Sequence, residues 1–520
     1  MNPAPDGLFR IAVFTLALYL STASFAQDPS RSATKPALLQ TSKQDSAQLG
    51  KTSLPNLAAG ELPIDLATAL RLAGSQNPQL ILSRERITEA TAIQQLTAAQ
   101  ILPNLNLGTN YDLHRGALQQ SNGNILNVNR DALYLGLGSG AVGAGTVNIP
   151  GLQYNLNVGT AWFDYLRSKQ IVARNIALAK SSEQETLLRV SLAYCELLRF
   201  EGRLAIAKQN LEDGKELSRL TNAYAQVKQG RKADADRANV ELKRRETAVI
   251  QTEADAKIAS ARLCQLLSLD PTTRLKPIDG WVVPEPIVPN PISLQELIAI
   301  ALLQRPELEA RRAEIQEALY ALSHAKLLPF SPNVLIGFSA GGFGGGSNLI
   351  TQGFIGSDGK PQVGPRFGNL ESRSDFDAVA YWTLQNLGVG NVAQVHINQS
   401  RVRQANLRQI ETLNRICTEV AESHARAAAR YGALDTTAKA VMAGAEGFRE
   451  ELIRIKGREG LPIEVIDSMR LLGRARLDYL DTIVDYNRAQ FELYVALGQP
   501  PADRLARPVP SELVPNPNKP

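Results

Sequence analysis

Catalysis and metal binding need several reactive side chains at fixed spacing, and few such sets occur in these 520 residues. The four histidines, His114, His324, His396 and His424, are scattered without metal-ligand spacing and read as surface or loop residues. No Ser/His/Asp or Cys/His cluster is recognisable, so the expectation is no enzyme, no metal and no cofactor. Gly138-Ser-Gly140-Ala-Val-Gly143 matches the pattern GxGxxG, and Asp164 follows about 20 residues on. A dinucleotide fold opens a helix directly after those glycines. Here Ile149-Pro150-Gly151 and an alternating strand follow instead. The run Gly341–Gly346 lacks the Lys-Ser/Thr of a phosphate loop.

The remaining titratable pattern is acidic. Glu464 and Asp467 stand three apart, share a helix face, and lie just past the turn Gly460-Leu461-Pro462. Asp234 holds the matching place after Gly230, with Arg237 opposite the place of Asp467. Two readings stay open. Acidic residues in a first helical turn favour the dipole by about 0.3–1 kcal/mol and need no other role. Stacked carboxylate rings at the narrow end of a pore attract cations and repel anions.

The elements that would position these residues come in duplicate. Leu62-Pro63-Ile64-Asp65-Leu66 returns as Asn290-Pro291-Ile292-Ser293-Leu294, and Ile101-Leu102-Pro103 as Leu327-Leu328-Pro329. Val190, Leu204, Gly230 and Pro271 match Val420, Leu434, Gly460 and Pro501 at one spacing of 230. Each half reads as an opening helix (64–100 and 292–327), a hairpin of alternating strands (104–162 and 333–382) around a Gly-rich loop, and a long helical hairpin (165–268 and 392–498). Leu105, Leu107, Tyr111 and Leu113 alternate with Asn and Asp, as do Leu152, Tyr154, Leu156 and Val158 with Gln153, Asn155 and Asn157. Val334, Ile336, Phe338 and then Phe376, Ala378, Ala380 and Trp382 complete the set. This period suits an outer-membrane barrel, apolar face to lipid and polar face to lumen; a soluble half-buried hairpin has the same period. Leu133, Leu135 and Leu137 add a further alternating stretch inside the first loop. With no proline between Pro150 and Pro271, residues 167–227 can form about 90 Å of helix.

The first repeat thus spans 61–275, a Pro-rich connector 276–290, the second repeat 291–500 and a Pro-rich tail 501–520. Ahead of them, Arg10, the apolar run Ile11–Leu20 and Ser24-Phe25-Ala26 read as a secretory signal at 1–26, followed by a flexible segment at 27–60. The charge is mixed, 56 basic against 51 acidic residues, which suits solvated helix faces rather than nucleic acid. Three cysteines are too few for a disulfide scaffold; Cys195 and Cys264 read as buried thiols.

Four membrane strands cannot close a barrel, and open edges in lipid cost several kcal/mol per unpaired group. Three chains would supply twelve strands, an allowed number. The expected fold is therefore an α+β membrane protein: a shared trimeric transmembrane β-barrel with four strands per chain, continued by a long antiparallel α-helical barrel. The competing reading is a pore-less coiled coil spanning the periplasm, which leaves the amphipathic strands unexplained.

At this point the chain resembles the TolC family of outer-membrane efflux proteins over about 62–501. The doubled layout, the Leu-Pro before each first strand, Ala380-Tyr-Trp-Thr-Leu-Gln-Asn-Leu-Gly-Val-Gly390, Gly460-Leu-Pro-Ile-Glu-Val-Ile-Asp467 and Ala496-Leu-Gly498 carry the resemblance. It implies a homotrimer in the outer membrane that docks a periplasmic adaptor and, through it, an inner-membrane transporter of the RND or ABC type. It further implies a passive exit duct for an efflux pump or type I secretion system. Glu464 and Asp467, with Asp234, fall on that family's acidic aperture; Gly230, Gly460 and Leu461 are the implied adaptor-docking turns. The long first Gly-rich loop departs from the family, as do His424 and Thr437 in place of Tyr194 and Ala207.

Overall fold

The computed structural model describes residues 60–141, 147–227, 231–279, 282–289, 292–348, 350–355, 357–363, 371–457 and 459–501. The expected leader, the flexible segment up to 59, Gly143, Gly230 and the tail beyond Pro501 lie outside the described residues.

The chain opens with β1 (Glu61–Ile64), α1 (Leu66–Gln76) and α2 (Pro78–Ala99). One opening helix was expected over 64–100; the structure breaks it at Asn77, which is extended (ψ 123). The ring of Pro78 disfavours α geometry at the residue before it and suits the first turn of the next helix. Arg305 before Pro306 does the same in the second half.

Strands β2 (Asn104–Leu105), β3 (Leu107–Gln119), β4 (Ile125–Ala141), β5 (Val147–Pro150) and β6 (Leu152–Asn157) follow, then α3 (Val158–Gln226) and α4 (Lys232–Leu267). After β7 (Arg274–Pro277) come α5 (Leu294–Gln304) and α6 (Pro306–Leu327). The rest is β8 (Asn333–Ser347), β9 (Ile350–Ile355), β10 (Pro361–Val363), β11 (Glu371–Tyr381), α7 (Val389–Lys456) and α8 (Pro462–Ala496). Two expected strand ends move inward. Asn157 caps α3 by accepting from the Thr160 N–H, so Val158 and Trp162 are helical, and β11 stops before Trp382.

The main sheet is four strands wide. One edge of β8 carries β6 against Asn333–Phe338 and β4 against Ala340–Ser347; the other carries β11. The second position is thus a composite, β4 above and β6 below, and β2 with β3 runs beside both. The Leu133–Leu137 stretch, read as an extra strand in a loop, is the upper half of this composite. Partner residues make rows across the sheet: Leu105–Leu152–Phe338–Phe376 is apolar, and the adjoining Asn104–Gln153–Gly337–Asp377 is polar. Leu105 and Phe376 are about two-thirds exposed, at 63% and 66%. The far edges of β3 and β11 pair with no other described strand.

The helices form one layer below the sheet. α3 and α7 run 69 and 68 residues, about 100 Å each. The shorter helices lie against them in pairs: α2 and α4 along α3, α6 and α8 between α3 and α7. Each expected hairpin therefore has unequal arms, and the opening helices supply the missing length. Among the described residues no helix is long and apolar enough to cross a membrane.

Two buried clusters hold the helices below the sheet. Val190, Leu263 and Leu267 pack with Ala69 and Leu275; Val420, Leu493 and Leu497 pack with Leu297 and Ala301. Cys195 and Cys264 are buried in separate clusters and form no disulfide. Burial pushes the Cys195 thiol up to about 12. Iodoacetamide should leave Cys195 unmodified in the native protein at pH 8 and label it after denaturation, because the thiolate is the reactive form. Intact-mass spectrometry reads the difference, and native labelling at Cys195 would contradict this packing.

Candidate aperture at the helical turns

The end of the layer farthest from the sheet is closed by apolar side chains from all four long-hairpin helices. Leu217 of α3, Ala238 of α4, Ile455 of α7, and Val465, Ile466 and Met469 of α8 form one buried cluster. The Tyr224 hydroxyl lies 3.3 Å from the Ile455 carbonyl oxygen and 3.4 Å from that of Lys456, tying the two turns together. Each apolar position falls on the inner stripe of its helix, so the ends meet by burying those stripes.

The second turn is built by local rules. Gly460 donates its N–H to the Arg454 carbonyl at 3.2 Å, and a Cβ there would sit 3.1 Å from Ile455 N. Leu461 caps α8, exposed, with Pro462 in the first turn where its missing N–H costs nothing. Glu464 reaches back to accept from the Leu461 N–H at 3.2 Å. A leucine side chain has no acceptor, so only this half of a capping box exists.

Each candidate carboxylate has a cation beside it. Glu464 lies 3.8 Å from Arg454, Asp467 3.8 Å from Arg470, and Asp234 3.3 Å from Arg237. Glu464 and Asp467 share one face of α8 as expected; Asp467 is the more exposed. Asp234 starts α4, while Gly230 lies outside the described residues. Arg237 thus pairs with Asp234 of its own turn.

Sequence reasoning missed the strongest charge cluster, two turns above. Glu241 of α4 has only 4% of its side chain exposed, yet receives Arg245 at 2.9 Å and Arg470 at 2.8 Å, with Arg244 at 3.4 Å. Burial alone would push this carboxyl up; the hydrogen bonds and charges of Arg470 and Arg245 hold it below the ordinary range. Above it, ion pairs line the seam between α3 and α8: Asp213–Arg476 (3.3 Å), Arg203–Asp481 (2.6 Å), Arg199–Asp485 and Glu196–Arg488. Partner numbers fall on one helix as they rise on the other, as antiparallel neighbours require. The reciprocal charges at helical steps were a usable signal.

Elsewhere, Gly138 lies within β4 at φ +101, where a Cβ would stand 2.5 Å from the Ile149 carbonyl oxygen. It serves close backbone approach. His324 sits 3.0 Å from Thr160 Oγ1, and no group of His, Cys, Asp or Glu able to hold a metal occurs among the described residues.

No family model matches this sequence, and no curated protein matches it. Solved structures do. The outer-membrane channel OprN is 20% identical, with a TM-score of 0.63 over 83% of this chain and 89% of its own. The Campylobacter jejuni CmeC outer membrane channel is 15% identical, with a TM-score of 0.66 over 83% and 85%. The open state of the Neisseria gonorrhoeae MtrE outer membrane channel is 18% identical, with a TM-score of 0.60 over 84% and 89%. By this likeness the fold is that of the TolC-type outer-membrane channels, the outer membrane factors.

Proposed function

We propose that the chain is a channel subunit of the outer membrane. Three copies close one barrel and one helical tube, giving solutes or proteins a passive exit from the periplasm. The observation that carries this reading is the four-wide sheet with an exposed apolar face and two edges that pair with no other described strand, set above a single layer of helices about 100 Å long. The layer also has apolar residues on both margins: Leu96 and Ile250 on α2 and α4, Leu407 and Ile410 on α7, all exposed. A neighbouring copy would cover both. The two matched halves then read as an internal duplication, so three chains give six similar units around the tube. No chemistry is assigned to the subunit, and the turns around Gly230, Gly460 and Leu461 are the proposed docking surface for an adaptor and its inner-membrane transporter.

In planar bilayers the purified protein should form a cation-preferring pore. Glu464→Gln with Asp467→Asn should weaken that preference and the block by multivalent cations, without loss of assembly. If selectivity and block stay those of the parent, the carboxylates only start α8. Absence of any conductance would count against the channel itself.

A further inference from the structure

The chain leaves the sheet differently in its two halves. Asn157 caps α3 directly after β6, and α3 brings the ion pair Asp164–Arg167 within its first three turns. After β11 the chain first makes a single 3-10 turn, Gln385–Gly388, and only then enters α7. Asn386, Leu387 and Gly388 are left-handed in succession, at φ 50, 58 and 92. Glycine takes that conformation freely, but a leucine is strained in it. The turn is held in place all the same. Buried Asn391 accepts from the Gln385 N–H at 2.8 Å, and a Cβ at Gly390 would sit 3.1 Å from the Gln385 carbonyl oxygen.

The result of this strain is exposure. Leu387 is 97% exposed, and Trp382 and Leu384 just ahead of it are exposed as well. The Trp382 indole N–H donates at 3.2 Å to the carbonyl of Phe330, another exposed ring, just before β8. A surface in water gains nothing from holding a leucine out on strained backbone. Strain of this kind collects where a ligand or partner is met.

Three features identify the occupant. Leu384 is still extended (φ −92, ψ 102), so Trp382 and Leu384 continue the alternation of Phe376, Ala378 and Ala380 on the apolar face. The edge that β11 offers a neighbouring copy is backbone, at right angles to that face. From Ala378 to Ser400 the sequence has no Asp, Glu, Lys or Arg. α7 therefore runs about 18 Å from Val389 before its first charge, Arg401. The depth agrees. Tyr381 ends β11 five residues past Phe376, which at about 3.3 Å per residue and a tilt of about 40° is about 13 Å. With the Phe376 row at the midplane, the turn begins where an apolar band about 25 Å tall ends.

We propose that Gln385–Gly388 is a lipid-binding foot, one per chain, whose occupant is phospholipid of the periplasmic leaflet. Trp382 lies at the boundary of the hydrocarbon, where an amphipathic ring is favoured. The turn carries Leu387 outward beside it, and Leu387 and Leu384 bury their side chains in the same leaflet. The foot rests on the channel reading and adds the site by which each chain holds its depth in the membrane.

The test uses the full chain in vesicles of phosphatidylethanolamine and phosphatidylglycerol, with the photo-reactive residue p-benzoylphenylalanine in place of Leu387. Two control preparations carry it in place of Phe376, on the apolar row, and of Asp377, on the polar one. After irradiation, mass spectrometry should find phospholipid joined to positions 387 and 376, with little or none at 377. Leu384, on extended backbone, takes the probe if the 387 preparation does not assemble as the parent does. Lipid at 376, with position 387 joined only to a second copy or to nothing, would overturn the foot and leave the channel reading standing. Lipid at neither, or as much at 377 as at 376, would overturn both.

Discussion

Glu241→Ala should loosen the helical tip by about 3–5 kcal/mol, the usual cost of removing one member of a buried ion pair. The charge of Arg245, itself only 15% exposed, and that of Arg470 would be left facing each other across α4 and α8. Amide hydrogen exchange in the purified protein should show the segments around 234–245 and 465–476 opening about 10²–10⁴-fold more readily, while the upper helices keep their protection. Unchanged protection at the tip would mean that solvent reaches the cluster freely. The sign of the pH dependence follows from the lowered carboxyl. Its contribution is fully present above the unfolded value of about 4.3 and is lost as pH falls through the lower folded value. The parent tip should therefore lose protection as pH falls below about 4, and Glu241→Gln, already neutral there, should show a flat profile in that window.

Gly345→Val should all but abolish assembly. A Cβ at Gly345 would stand 2.2 Å from the Asp131 carbonyl oxygen and 3.0 Å from the Ala132 Cα, backbone atoms of β4 that cannot yield without breaking the ladder. Gly342 is the internal control. It lies three residues away on the same strand, opposite Leu135 on the apolar face, and a Cβ there meets nothing within 4 Å. Gly342→Val should assemble as the parent does. The fraction of outer-membrane protein recovered as folded oligomer reads both, and equal yields for the two variants would mean that β4 and β8 are not neighbours. The Gly-rich run thus has a structural cause: β4 and β8 approach closely on the face that also buries Tyr134.

The apolar and polar rows of the sheet were legible because a period of two needs no tertiary information. The row Leu105–Leu152–Phe338–Phe376 joins four segments whose alternation each shows alone. The composite second strand was not legible. Both Ile125–Ala141 and Leu152–Asn157 alternate, and the sequence does not say that they share one edge of β8. The helix breaks at Asn77 and Arg305 were missed because proline fits the first turn of a helix as readily as it ends one. At the tip, the turn Gly460-Leu461-Pro462 and the pair Glu464 and Asp467 were readable from local spacing. Glu241 was not, since its decisive partner Arg470 comes from a helix 229 residues later.

Closure of one barrel by three chains is tested most directly by native mass spectrometry of the detergent-purified protein, with Leu105→Arg beside it. The parent should fly as a trimer. Leu105→Arg puts a charge on the exposed apolar row at a cost of about 2–4 kcal/mol per chain near the midplane, and should yield little trimer. A parent that is a folded, stable monomer, its β3 and β11 edges satisfied without a second copy, would contradict the account.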